Sequence, residues 1–273
     1  MEIRTLEHTP LPAIVACFIK AFDGYFVKVS EDVNYYAARW KAAMVDFDSS
    51  YGMFDGEQLV GFVLHAVDTR FGMRTAFNDG TGVLPAYRGR RMVQAIYEKA
   101  VPELKAKGIA QLSLEVIQEN AVALKAYEKV GFRIVKEYAC FKGILLARAD
   151  AAMQLEATTF DHMEWDKLPA PAMQAWEHQP ESLRGGAFKY YYVWREGKRI
   201  GFFVVQPENG YLARLDAFTE IEADWNALLL GVSQLCNLVK HNNVDVRQAA
   251  KTRFLEKHGL TRYINQFEMG MKI

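Results

Sequence analysis

The sequence predicts an α+β (mixed α/β) fold in two successive units, and three observations carry that expectation. The first is the stretch from Asn78 to Phe132, which reads strand, cationic turn, helix, strand, helix. The second is a pair of hairpin patterns, over residues 51–67 and from Tyr190 to Val205, turning at Asp55-Gly56 and Glu196-Gly197. The third is an internal echo. Leu59-Val60-Gly61-Phe62 returns as Arg199-Ile200-Gly201-Phe202, and Tyr127-Glu128-Lys129-Val130-Gly131-Phe132 returns as Leu255-Glu256-Lys257-His258-Gly259-Leu260.

In chain order, Ile3, Arg4 and Leu6 suit a short first strand. Leu11, Ile14, Val15, Phe18, Ile19 and Phe22 recur at helical spacing. This run is amphipathic, carries Lys20 and lacks a basic leader, so it reads as a helix and not as an export signal. Asp23-Gly24 ends it. Ser30 is the expected cap of a second helix containing Val33, Tyr36, Ala37, Trp40 and Met44, with Glu31 and Asp32 in its first turn. After the first hairpin, Arg70 to Arg74 reads as a loop. Val83 and Leu84 then end a strand that Pro85 closes.

Tyr87 to Met92 form a short turn centred on Gly89, with Arg88, Arg90 and Arg91 around it. Val93, Ile96, Tyr97, Ala100, Val101 and Leu104 give the following helix one apolar face. Free backbone N–H groups at the start of that helix, together with the arginines, suit an anion such as a pyrophosphate. Leu112, Leu114 and Val116 alternate with Ser113, Glu115 and Ile117, as in a strand with two unlike faces. Asn120 is placed to cap a second helix whose apolar face holds Ala123, Ala126, Tyr127 and Val130. Gly131 is placed as its left-handed terminator, with Phe132 as the hydrophobic partner.

Composition sets wider bounds. The 273 residues suffice for one large or two ordinary domains, and 33 basic residues balance 33 acidic ones. That balance disfavours nucleic acid or an acidic membrane as partner. Cys17, Cys140 and Cys236 have no motif spacing, which suits a reducing cytoplasm, and no metal-ligand pattern is visible.

The first unit is expected to span 1–148 and the second 152–273, with ARADAAMQ as a linker or helix end between them. In the second unit a strand restarts over 153–160, and a segment rich in proline and aromatic residues runs from Trp165 to Gly186. Trp225, Leu228, Leu229, Val232, Cys236 and Val239 read as one long helix. The second copy has LDAFTEIEADW where the first has LPAYRGRRMV, so Asp216, Glu220, Glu222 and Asp224 stand in place of the arginines and the glycine. Carboxylates there repel a pyrophosphate. Trp165, Trp176, Tyr190, Tyr191 and Trp194 are candidates either for a cleft or for the core.

At the motif residues the chain resembles the GNAT superfamily of N-acetyltransferases. The family's phosphate loop reads Q/R-x-x-G-x-G/A, often after a proline and an aromatic, and its next block is L-E-V, three residues, N, then A, Y and G-F. Pro85-Ala86-Tyr87-Arg88-Gly89-Arg90, then Leu114-Glu115-Val116, Asn120, Ala123, Tyr127 and Gly131-Phe132, fit that order and spacing. Arg91 and Val93 stand where the family prefers glycines, so their side chains must point away from the cofactor or the pyrophosphate must sit higher.

The resemblance implies two GNAT-like units, each a mixed, mostly antiparallel twisted sheet flanked by helices, with the second degenerate. It implies acetyl-CoA as acyl donor and a small-molecule or peptide amine as acceptor. Val83 and Leu84 would pair with the pantetheine arm. Arg88, Gly89, Arg90, Arg91, Met92 and Val93 would hold the pyrophosphate, with Asn120, Ala123 and Tyr127 toward the thioester. Tyr127 suits the general acid. Glu115 and Asp79 compete as base, with His65 and Asp68 behind them. Tyr25, Phe26, Tyr35, Tyr36 and Trp40 would lie on the acceptor side or in the core. Leu255, where the first copy has Tyr127, implies that the second unit lacks the chemistry. A non-catalytic acyl-CoA-binding or regulatory module, a scaffold without cofactor, and a monomer or a homodimer all stay open.

Overall fold

The computed structural model describes residues 1–24, 29–146 and 153–273. Tyr25, Phe26 and the linker stretch 147–152 lie outside the described residues. The chain resolves into two compact units, residues 1–135 with 268–273, and residues 136–267.

The first unit contains β1 (Glu2–Thr5), α1 (Leu11–Ala21), α2 (Val33–Ala42), β2 (Tyr51–Asp55), β3 (Gln58–Arg70), β4 (Met73–Val83), α3 (Met92–Ala106), β5 (Gln111–Ile117) and α4 (Ala121–Val130). Then β6 (Arg133–Ile144) begins, and the second unit continues with β7 (Gln154–Thr158), α5 (Pro180–Leu183), β8 (Lys189–Arg195), β9 (Lys198–Gln206), β10 (Tyr211–Ala217), α6 (Glu222–Ser233), β11 (Leu238–Asp245), α7 (Ala249–Lys257) and β12 (Thr261–Lys272).

In the first unit the strands lie in the order β1-β2-β3-β4-β5, followed by the end of β12. The pairings β1–β2, β2–β3 and β3–β4 are antiparallel, and β4–β5 is parallel. The Arg70–Arg74 region is a tight hairpin: Arg70 faces Met73, and Phe71 and Gly72 both take positive φ, 50° and 77°. That two-residue turn matches the twist of the strands it joins. Phe18 of α1 packs on Tyr36 and Trp40 of α2 and on Phe62 of β3, at centroid distances of 5.0, 5.7 and 5.6 Å. Tyr36 and Trp40 are therefore core residues, whereas Tyr35 is exposed. The cap of α2 is Asp32, whose carboxylate accepts from Asn34 N–H at 2.9 Å, and not Ser30. Ser30 instead accepts from the backbone N–H of Asp32 and, through its carbonyl, from the Tyr36 hydroxyl. The helix thus starts late enough to leave Glu31 and Asp32 outside its first turn.

The chain end belongs to this unit. Ile273 N–H donates to the Ala110 carbonyl at 3.1 Å, and Met271 Sδ lies over Gly131. A contiguous division at 1–148 and 152–273 leaves these last residues on the other side.

The second unit runs through a similar order of elements, with short 3-10 turns and α5 where the first has α1 and α2. Its strand order is β12-β6-β11-β10-β9-β8-β7. Pairings β7–β8, β8–β9, β9–β10 and β6–β11 are antiparallel, and β10–β11 is parallel. The expected long helix ends at Ser233, and Val239 lies in β11. That strand carries Lys240-His241-Asn242-Asn243, too polar to show an apolar alternation, and its polar members His241, Asn243 and Asp245 are buried. Trp225 stacks on Phe254 under one face of the sheet. Phe160, Trp165 and Tyr190 pack together in a separate cluster, Tyr191 stacks on Phe203, and Trp194 donates to Glu156. These aromatics serve the unit's own packing.

Candidate active site

The opening in the first unit is made by two strands that start as neighbours and then separate. Parallel pairing of β4 with β5 runs from Thr75↔Gln111 to Asn78↔Leu114. Beyond it, β4 continues to Val83 and β5 to Ile117 with no mutual register. On its other side β4 pairs Gly80 with Leu64 and Asn78 with His65, which leaves Asp79 as an extra, bulged residue. A bulge bends a strand and re-aims its side chain. Asn78 holds this one in shape: its Oδ1 accepts from Gly80 N–H at 3.0 Å, and its Nδ2 donates to Thr81 Oγ1 at 2.7 Å and to the Tyr97 hydroxyl at 2.9 Å.

Asp79 and Glu115 are the first residues past the last paired position on their two strands. Asp79 Oδ2 is shut off from solvent and has no hydrogen-bond partner. Burial pushes its carboxyl above the ordinary range, and the Arg39 guanidinium offsets part of that rise. Tyr127 is buried on α4, its ring edge-on to Phe132 at 5.8 Å. Asn120 caps α4 by accepting from Ala123 N–H at 3.1 Å, and Gly131 ends it at φ 121° with Phe132 N–H donating to the Tyr127 carbonyl. The caps therefore fix both ends of the helix that carries Tyr127. His65 is buried, its Nδ1 2.6 Å from the Ser49 carbonyl oxygen, and burial lowers it to about 4. Asp68 is tied to Arg70 at 3.2 Å.

The arginine-rich turn leads into α3. Gly89 has φ 78° and open space where a Cβ would stand. Arg91, at the family's glycine position, takes the left-handed conformation itself, with φ 56° and ψ 28°. A non-glycine residue there costs about 1–2 kcal/mol, so the backbone keeps the shape a glycine would give. The first turn of α3 has neither an acidic residue nor a side-chain cap, and its N–H groups are left for an anion. Arg88 is turned back: Nε donates to the Val83 carbonyl at 3.2 Å and Nη2 to the Ala21 carbonyl at 2.9 Å. Arg90 donates to the Ala86 carbonyl and lies over the Tyr87 ring, whose hydroxyl donates to Asp55. Leu84 N–H is bonded to the Val60 carbonyl. Val93 lies in the first turn of α3, and Met92 is buried beside it. The turn is thus braced by Arg88 and Arg90, two of the residues expected to hold the pyrophosphate. Asn78 and Tyr97 were not expected at the site. Asn78 lies in a strand with many other polar residues, so nothing in the pattern set it apart, and Tyr97 sat on the helix's apolar face and read as core.

The connection expected to correspond to this turn differs in the second unit. Four residues, 218–221, join β10 to α6, against eight, 84–91, between β4 and α3. Asp216 is not in that turn but inside β10, opposite Phe202. It sits between Arg214 Nη2 at 2.9 Å and Lys251 Nζ at 3.2 Å, all three buried. Lys251 occupies, in the repeated helix, the position of Ala123. The start of α6 carries Glu222 and Asp224, and Asp224 is bound by Arg195 and Thr219.

A sequence profile described as the Acetyltransferase (GNAT) family matches residues 16–132, the segment that holds this opening, turn and pair of helices. Over these residues the chain matches the acetyltransferase (GNAT) family. No curated protein sequence matches the chain. Among solved structures, a proposed acetyltransferase of Pyrococcus horikoshii is similar at 13% identity, over 100% of this chain and 89% of its own, with a TM-score of 0.71. A tandem GNAT protein from the clavulanic acid biosynthesis pathway is similar at 14% identity over 99% and 98%, with a TM-score of 0.68. An N-acetyltransferase from Sphaerobacter thermophilus is similar at 11% identity over 99% and 95%, also at 0.68. These likenesses give the GNAT-like fold, in which a mixed, mostly antiparallel sheet is flanked by helices. Among the described residues no helix is long and apolar enough to cross a membrane.

Proposed function

We propose that the GNAT domain moves an acetyl group from acetyl-CoA to an amine by direct attack, with Tyr127 as general acid and Asp79 as base. The observation that supports this reading most strongly is the separation of β4 from β5 immediately after Asn78, which leaves Asp79 as the first residue past the last paired position. The donor residues fit the group: an uncapped helix start without carboxylates, a left-handed Arg91 and an unobstructed Gly89 suit a pyrophosphate. Asp79 has a buried, unpartnered carboxylate oxygen that can accept a proton from an ammonium acceptor, directly or through water. Glu115 is the alternative base. Tyr127 can lend its hydroxyl proton to the departing thiolate and regain one from solvent, because a phenol stays protonated at neutral pH.

The second unit, in this reading, is a degenerate copy that binds no acyl-CoA. Its buried Arg214–Asp216–Lys251 cluster and its short connecting turn support this. A panel of small and peptide amines with thiol release as readout tests the activity, and calorimetric titration with acetyl-CoA tests the number of sites. Turnover with one donor bound per chain is expected. A stoichiometry of two would overturn the degenerate-copy reading, and tight binding without turnover on any amine would favour a regulatory acyl-CoA-binding module.

A further inference from the structure

We infer that Asn78 is a positioning residue for the reaction: its side-chain amide pins the bulged register of β4 and thereby sets the face on which Asp79 stands. The inference rests on the reading of Asp79 as base.

The strand itself records a switch of face. β3 shows which helix covers each side: a Cβ at Gly61 would meet Met92 of α3, whereas the ring of its neighbour Phe62 packs on Phe18 of α1. On β4, a Cβ at Gly80 would also meet Phe18, so this residue belongs to the α1 side. Asn78 reaches the Tyr97 hydroxyl of α3 and so belongs to the other side. In an unbroken strand, residues two apart share a face. Asn78 and Gly80 do not, because Asp79 is the extra residue between the pairs His65↔Asn78 and Leu64↔Gly80. If β4 became regular from Gly80 backwards, Asp79 would take the α3 side, where Ile96, Tyr97 and Ala100 are buried, and Asn78 would leave it.

Three hydrogen bonds hold the bulge against that slip, and one side chain makes all of them. Gly80 N–H can only donate, so the Asn78 oxygen faces it, at 3.0 Å, and closes an Asx turn around Asp79. Both amide hydrogens are then placed on hydroxyl oxygens, Thr81 Oγ1 at 2.7 Å and Tyr97 Oη at 2.9 Å. The first two bonds are local to β4, and the third ties the bulge to α3. Asn78 is buried, so each bond lost leaves a polar group without water to replace its partner. An aspartate at this position would accept from Gly80 but could donate to neither hydroxyl. Asp79 Oδ2 has no partner of its own, so the backbone that carries the carboxylate sets its place.

The test is Asn78→Ala, read by the 13C carboxyl resonance of labelled aspartate, assigned to residue 79 by its loss in Asp79→Asn and followed across pH. In the wild type, burial holds the Asp79 titration above the ordinary carboxylate range. If the bulge relaxes, the carboxyl either gains solvent or comes within reach of the Tyr97 hydroxyl, and both stabilise its charge. A downward shift toward the ordinary range is expected, with a smaller one in Tyr97→Phe, which removes a single bond and keeps the ring. An unmoved titration in Asn78→Ala overturns the inference even if the urea midpoint falls, because lost stability alone does not re-aim a carboxylate. If Asn78→Ala does not fold, Tyr97→Phe decides by the same criterion. On the panel amine that the wild type turns over, Asn78→Ala should lower kcat/KM roughly 10–100-fold, less than loss of the base itself, with acetyl-CoA binding unchanged by calorimetry. Asp79→Asn with Asn78→Ala should be no slower than Asp79→Asn alone, and an additive loss would also overturn the inference. Full activity of Asp79→Asn would withdraw the base assignment, an outcome distinct from an unmoved titration.

Discussion

Replacement of Asp79 by asparagine should separate activity from stability in opposite directions. The carboxylate sits on a bulged residue with Oδ2 buried and unpartnered, and burial raises its pKa above the ordinary value. Each unit of such a rise is about 1.4 kcal/mol by which the fold disfavours the charged form. The sign follows from proton linkage. In the window between the unfolded value and the higher folded value, the native state binds more protons, so stability is present at low pH and is lost as pH rises. Asparagine does not titrate and keeps the shape. Asp79→Asn should therefore match the wild type in acid and exceed it in urea midpoint at neutral pH. Removal of a base should meanwhile lower kcat/KM by roughly 10²–10⁴-fold, equivalent to about 3–5 kcal/mol of barrier, and should abolish the acidic limb of the profile. Paired urea titrations at pH 4 and pH 7.5, with kcat/KM across pH, test both parts. Retained activity with an intact acidic limb would refute the assignment of Asp79 and pass the role to Glu115, for which Glu115→Gln is the matched variant. A loss of stability at pH 7.5 would show that the carboxylate is held by favourable contacts and that the burial argument is wrong.

Other consequences concern the turn, the buried ion cluster of the second unit and acid. Arg91→Gly should be more stable than Arg91→Ala by about 1 kcal/mol, since both lose the charge but only glycine is relaxed at φ 56°; equal urea midpoints would contradict the left-handed geometry. Asp216→Asn leaves Arg214 and Lys251 buried without their carboxylate and should cost about 3–5 kcal/mol, with Lys251→Met in the same chain recovering part of it. A deficit below about 1 kcal/mol by urea titration would show that the cluster is solvated. His65 is held neutral, with a folded value of about 4 against 6.5. Its contribution is full above pH 6.5 and is lost as pH falls toward 4, a span worth on the order of 3 kcal/mol. His178 and His241 are depressed in the same direction by burial. Thermal melts should fall steeply between pH 6.5 and 4, and His65→Gln should flatten the first unit's share.

What the sequence determined by itself was most of what neighbours along the chain set, though not the α2 cap, which fell on Asp32 and not Ser30. Asn120 caps α4 and Gly131 terminates it because both act within one helical turn. Gly56 and Gly197 mark hairpins because a left-handed turn residue advertises itself locally. The phosphate-type turn, the L-E-V strand and Tyr127 formed a recognisable set for the same reason: their spacing is fixed by a short strand and a short helix. The aromatic residues could not be divided between pocket and core, because an aromatic spacing pattern is the same for both, and packing made Tyr36 and Trp40 core.

Tertiary structure decided what depends on partners distant in sequence. The bulge at Asp79 exists only relative to β3, and the gap beside it only relative to β5. The bond from Arg88 to the Ala21 carbonyl, far away in the chain, at 2.9 Å could not be read from the turn alone. Asp216 was aligned with a turn because the second copy's shorter connection shifts the match, and only the pairing with Phe202 returned it to a strand. β11 was missed because its buried polar residues find their partners across the sheet and leave no apolar pattern to read. Residues 268–273 joined the first unit because a strand edge accepts whichever segment can reach it, and a reading that proceeds along the chain takes each half as closed.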